Sequence, residues 1–447
     1  MAKAWDTSEV ASPAYILPEP NGVLSLGKER VRLTLGKKPI TADADVLMRL
    51  VPSPRALLRI RLSDPADGLR ALADEDSLVN VRFLAWKITV ECLKARFDGS
   101  ELTLIPTRDP LCLGSPKTRL KAVTFHLLNF PAVFSRNITS AKVKKATLRL
   151  DHLVLSGGGW RVVLSSLPTT RDHVKLIRNS GGYGFTHAGR IVREDGRTFA
   201  GQSVNDFLTA LHLYLSFARG FWSSPNLAVG YTGRGKSTWT QWGAGQCSRW
   251  RSVRSWFDGR HGSLLAEAFP GFLRRRNQEL WRAPIMKAIA LYLASNTPHV
   301  DTGIVLTQTA LELLSWVYVV KEQKLISAAG FNDLRSSDRL RLLCSSLGMP
   351  LSIPACLKEM AKAGKPKKWL DAMHAITEIR NSIVHPQHKR SGKYNDVLYE
   401  AWNLGLWYLE LLLLRLFGHD GKYGNRLVQK YVGEVEDVPW ATKAAGS

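Results

Sequence analysis

The chain of 447 residues has five cysteines, Cys92, Cys112, Cys247, Cys344 and Cys356, and no two are spaced as CxxC. A zinc ribbon and a disulfide framework are both excluded, which fits a reducing compartment. Acidic residues are also scarce. Asp and Glu total 38 against 62 Lys and Arg, a formal net charge of +24, and the pI is near 10.0. Such an imbalance favours a polyanionic partner, nucleic acid foremost, with an indifferent basic surface as the plainer alternative. No apolar h-region follows Met1-Ala2-Lys3-Ala4-Trp5-Asp6, and the apolar run Leu404–Phe417 is interrupted by Glu410 and Arg415 and too short to span a bilayer. Neither a signal peptide nor a membrane segment is expected, and the reading is a soluble, cytoplasmic protein. No internal repeat emerges.

What the chain does hold is enough apolar material, 45% with 14 Trp, for about three packed domains. Residues 1–19 show no periodicity and read as an extended lead-in. From Gly22 the pattern is period two, with short candidate strands at Val46–Val51, Ala56–Leu62, Val79–Ala85, Thr89–Ala95, Leu102–Ile105, Lys121–Leu128, Ala146–Leu155 and Trp160–Leu164. Their spacing predicts a β-rich, sandwich- or barrel-like domain over 1–180. A mixed α/β middle follows over 181–262, with a helix from about Ser203 to Phe217. From Ser263 the pattern is helical: 263–276, 280–295, 303–321, 332–346, 355–363, 367–384 and 395–417. The fold class expected is α+β multidomain, with an all-α bundle over 263–420 and a packed extension over 421–447.

Residues 219–287 interleave Arg249, Arg251, Arg254, Arg274, Arg275, Arg276 and six other cations with Trp222, Trp239, Trp242, Trp250, Trp256 and Trp281, against only Asp258, Glu267 and Glu279. Guanidinium groups meet phosphates and indoles stack on bases, so the six arginines named are the expected nucleic-acid contacts. The competing reading places the Trp in a core. Within this stretch Gly230-Tyr231-Thr232-Gly233-Arg234-Gly235-Lys236-Ser237 spells G-x4-G-K-[ST]. A phosphate loop leads into a helix N-terminus, whereas Thr238-Trp239-Thr240-Gln241-Trp242-Gly243 favours a strand and a hairpin. The expectation is a Gly-rich β-turn rather than a nucleotide site.

The chemistry-bearing stretch is Arg380-Asn381-Ser382-Ile383-Val384-His385-Pro386, between a helical run ending at Ile379 and an apolar helix beginning near Asn395. Pro386 disfavours the α conformation at His385, so the helix should stop there with the imidazole at an exposed end. Arg119–His126 and Arg254–His261 fit the looser R-x6-H spacing, but neither sits within helical runs.

With an Asn directly after the Arg, the motif resembles that of the HEPN family, helical bundles found in many bacterial RNases of defence and toxin systems. The ApeA-like HEPN proteins, with a β-rich part before the bundle, are the nearest type. The resemblance implies a metal-independent endoribonuclease that cleaves RNA, tRNA among the candidates, in antiphage defence or growth arrest. It also implies a homodimer or higher oligomer through the helical domain, and no cofactor or metal. Arg380 and His385 would be the catalytic pair, with Asn381 supporting. On an ideal helix these two side chains stand about 140° apart, so they converge only if His385 leaves the helix or a second copy contributes. Glu312, on helix 303–321, is the acidic residue expected near the motif, with Glu378 as the weaker alternative. His374 is expected to cap a packing face and His388 to lie in a solvated loop. The HEPN toxins controlled by a modified Tyr carry it two residues after the His; here that position is Gln387. The rival functions are a non-catalytic HEPN module that binds RNA or a partner, and an NTPase using Lys236 and Ser237.

Overall fold

A computed structural model describes residues 10–35, 38–63, 78–108, 110–134, 138–143, 146–385, 394–428 and 430–441. These fall into two compact units, one of residues 1–212 with 223–252, the other of 213–222 with 253–447.

The first unit begins with a closed barrel. Its strands are β1 (Val23–Leu35), β2 (Lys38–Arg49), β3 (Arg55–Arg61), β4 (Val79–Phe83), β5 (Ile88–Asp98) and β6 (Glu101–Pro106), in the order β1-β2-β3-β6-β5-β4. Period-two patterning fills it: Val79, Val81 and Phe83 are buried while Asn80 and Arg82 face out. Closure pairs Val31 with Phe83 and removes the free edges an open sheet would expose.

An eight-stranded antiparallel sheet completes this unit. Its members are β7 (Leu111–Leu113), β9 (Ala122–Leu128), β10 (Ile138–Val143), β11 (Ala146–Gly157), β12 (Trp160–Ser166), β13 (Phe185–Arg193), β15 (Pro225–Tyr231) and β16 (Ser237–Trp242), in the order β10-β11-β12-β13-β9-β15-β16-β7. Two short strands, β8 (Arg119–Leu120) and β14 (Phe199–Ala200), pair separately. All seven residues of β9 are buried, the mark of a strand covered on both faces. Two helices accompany the sheet, α1 (Thr170–Ser180) and α2 (Gly201–Arg219). The fold is thus the expected α+β arrangement, but 181–262 is not a middle of its own. Its strands β13, β15 and β16 flank β9 or lie beyond it, so the sheet binds this segment to the residues before 180.

The second unit is helical. It comprises α3 (Gly262–Asn277), α4 (Glu279–Ser295), α5 (Val300–Ser315), α6 (Ala328–Asp333), α7 (Ser336–Ser346), α8 (Lys358–Lys367), α9 (Ala372–Val384) and α10 (Leu398–Leu416). Beyond Ser315, α5 widens into a π-helical stretch, Trp316–Glu322. The continuous helix from Val300 to Glu322 is apolar and long enough to cross a membrane by length and composition, and 56% of its most apolar window is buried in the fold. The last segment pairs β17 (Lys422–Tyr423) with β18 (Glu436–Asp437) and buries Tyr423 and Arg426. It packs within this unit.

Candidate active site

Helix α9 carries the Arg–His motif, and its limits have local causes. Asp371 caps it, its carboxylate accepting from the His374 N–H at 2.8 Å and from Arg341 Nε at 2.5 Å. Met373, Ala375, Ile376 and Ile379 bury one side, and α9 packs against α5 and α7. The helix ends at Val384, and His385 takes φ −123°, ψ 73°, outside the helical region.

Arg380 is half-buried, and its Nη1 donates to Asn381 Oδ1 at 3.1 Å. Its Nε is buried and, among the described residues, has no hydrogen-bond partner. The Asn381 carbonyl accepts from the His385 N–H at 3.0 Å, so the motif's middle residue braces the Arg through its side chain and the His through its backbone. His385 itself is exposed. Pro386, Gln387 and His388 lie outside the described residues.

The two candidate carboxylates are placed differently. Glu312 accepts from Gln308 Nε2 at 2.7 Å on its own helix, and no ion pair joins it to Arg380 among the described residues. Glu378 sits in a small network: Tyr394 Oη donates to it at 2.9 Å, Trp369 Nε1 at 3.3 Å, and His374 Nε2 stands 3.7 Å away. His374 Nδ1 accepts the Leu370 N–H at 3.1 Å, which makes this ring part of the structure that starts α9.

The tryptophans and arginines of 219–287 are placed differently. Trp239, Trp242, Trp256 and Trp281 are all buried and unavailable as stacking platforms. The six arginines are divided between the units. Arg249 donates to the Pro52 carbonyl, and partial burial lowers the pKa of Arg251. In the second unit Arg254 donates to the Arg426 carbonyl at 3.0 Å. Arg275 pairs with Glu322 at 2.5 Å, donates to the Leu416 carbonyl and lies over the Trp281 ring, and Arg276 is 7% exposed. Arg275 and Arg276 are thus held within the fold, whereas Arg249, Arg254 and Arg274 are exposed. The Gly230–Ser237 loop is a hairpin turn. Gly230 is opposite Trp239, the Thr232 N–H donates to the Lys236 carbonyl, and Ser237 opens β16. No helix N-terminus is there to receive a phosphate.

Sequence reasoning did not anticipate a buried charge cluster in the second unit. Glu410, in the middle of α10, accepts from Arg426 Nη2 at 2.7 Å, Arg426 Nε at 3.0 Å and Tyr292 Oη at 2.5 Å. Burial works against the Arg426 charge, but Glu410 opposite it outweighs that and raises its pKa. Burial, and then the Glu410 charge, hold the Tyr292 hydroxyl well above its ordinary range. The only sequence signal was a lone Glu in an apolar run.

Residues 278–437 match the family described as the YopA C-terminal domain, and residues 115–253 match the YopA central domain. The second match ends at the boundary between the units and the first spans α4 to β18. A relative, the SPbeta prophage-derived uncharacterized protein YopA of Bacillus subtilis (strain 168), is 25% identical over 409 residues, covering 89% of this chain and 91% of its own. No solved structure gives a significant match.

Proposed function

We propose that the helical unit is a metal-independent endoribonuclease of HEPN type, with Arg380 and His385 as its catalytic residues. One observation carries this reading: a guanidinium braced by Asn381 in the last turns of a bundle helix, with an exposed imidazole at the first residue off that helix. Cleavage without metal needs a base for the ribose 2′-OH proton and a cation for the charge on the phosphorane. Imidazole suits the first task near neutral pH and guanidinium the second. The 2′-oxygen attacks the adjacent phosphorus, the 5′-oxygen leaves with a proton, and a 2′,3′-cyclic phosphate remains. A second copy of the chain would complete the cleft. The prophage origin of the YopA relative suits a role in defence or growth arrest.

The test is cleavage of a mixed single-stranded RNA and tRNA pool by the full chain in EDTA. Wild type is expected to leave cyclic phosphate ends, and Arg380→Ala and His385→Ala to fall by roughly a hundredfold or more. Equal cleavage by all three proteins would remove these residues from the site. Salt-sensitive RNA binding without cleavage in all three would favour a binding module, the reading that the net charge of +24 supports by itself.

A further inference from the structure

The first unit carries a polar constellation that the ribonuclease reading does not use. Sheet register sets His152 opposite Ser165, Ser165 opposite Ala188, Ala188 opposite His126 and His126 opposite Asn226. Directly opposed residues share a face, so four polar side chains form one row across five strands. All four are buried, from 0 to 3% exposed.

Residues 11–15 lie over this row. The Ala11 N–H donates to Ser165 Oγ at 2.9 Å and the Ala14 N–H to His126 Nε2 at 3.1 Å. The Tyr15 ring stands 5.8 Å from the His126 ring, and Ala11, Tyr15 and Leu17 pack with Leu128, Phe185 and Leu227. Ile16, between two inward residues, is 95% exposed. Pro13, Pro18 and Pro20 lack the N–H donors of a strand, so the segment crosses the face instead of extending an edge. Its far end is fixed at Asn21, whose N–H donates to the Tyr183 carbonyl and whose Oδ1 accepts from the Tyr183 N–H, both at 2.8 Å. The near end hangs on side-chain acceptors.

A ring nitrogen that accepts from a backbone N–H must be unprotonated. A proton on His126 Nε2 would set two donors against each other in a fully buried place. Tyr15 faces the ring from the segment, its own pKa raised by burial. Cys247 Sγ stands 3.5 Å from the Asn226 amide opposite, and His152 lies three strands along the row; none of the three is a carboxylate. Among the described residues Nδ1 makes no well-formed hydrogen bond, although the backbone of Asn226 and Leu227 lies near. Burial accordingly lowers the His126 pKa to about 4, against a small opposing effect of those two residues. Nearer Asn21, Glu19 stands 3.5 Å from His173 Nε2.

We propose that residues 10–17 are a releasable strap, closed while His126 is neutral and opened by its protonation, which bares the polar row and the apolar surface beside it. Glu19–His173 and Asn21–Tyr183 keep the segment tethered as its near end lifts.

The test is hydrogen exchange of the full chain, read by mass spectrometry on peptides covering residues 10–17 and converted to protection factors. A ring that titrates at its ordinary pKa when released and near 4 when docked lowers strap protection by roughly tenfold or more from about pH 7 to about pH 5. In His126→Gln, whose amide oxygen accepts without titrating, protection is expected to stay flat. In Ala14→Pro, which has no N–H to donate, it is expected to be low at both values. The proposal is overturned by flat protection in wild type, or by an equal fall in His126→Gln. If that variant does not fold, a remaining pH-dependent fall in Ala14→Pro overturns it. Because the other buried histidines also lower the stability of the whole unit in acid, β9 serves as the reference, and strap protection that falls only in parallel with β9 in both wild type and His126→Gln overturns it too.

Discussion

Glu410 and Arg426 form the pair whose loss is expected to cost this protein most at a single position. Both are essentially sealed from solvent, at 0 and 1% side-chain exposure. Arg426→Met strands a carboxylate in the most apolar helix, and a loss of about 3–5 kcal/mol is expected in urea unfolding. Replacing both residues with Met should recover most of it, because no charge then remains buried. The pair was hidden in the sequence because its partners are 16 residues apart and on different elements, and a lone Glu in a leucine run looks like an interruption. The placement of Arg380 and His385 was visible for the opposite reason: it is local, set by the last turns of one helix. The tryptophans were ambiguous in sequence, since core and stacking platform draw on the same side chain, and burial decides four of the six for the core.

At the scale of elements, α9 depends on its cap. Asp371→Ala removes the acceptor for the His374 N–H and one partner of Arg341, and a loss of about 1 kcal/mol is expected in equilibrium unfolding. The reading of 367–384 as one helix placed this start five residues early. Lys368 adopts φ 53°, ψ 42°, a left-handed turn that ends α8, and the new helix begins only after Asp371. Elsewhere helices were legible because a 3.6-residue period is local, and the barrel strands were legible by alternation. The eight-stranded sheet was not. β9 pairs with β13 about sixty residues later and with β15 about a hundred residues later, and nothing within either strand names its partner.

For the whole molecule, pH is the telling variable. In the first unit burial lowers the pKa of His126 to about 4, His187 to about 3 and His212 to about 4. A base whose folded pKa is depressed binds protons more readily when unfolded. The stability these three rings contribute is therefore complete above the ordinary pKa of 6.5 and is lost as pH falls through that value towards 4 and 3. Thermal unfolding of the first unit is expected to shift steadily downward from about pH 7 to about pH 5. Replacing His187 with a neutral, similarly sized side chain should reduce the slope.

The path of α2 has a practical consequence for anyone dividing the gene. The helix starts in the first unit, yet Leu213–Trp222 belong to the second, and the chain then returns to the sheet before leaving it at Ser252. Phe217 packs on Trp256, Tyr292 and Phe417, and the Tyr214 hydroxyl donates to the Leu265 carbonyl. A fragment begun at Val253, where the central-domain match ends, would leave that aromatic socket open to solvent and invite aggregation. Each unit therefore borrows its last piece from beyond the other's border, and the two are better treated as one unit of expression and inheritance.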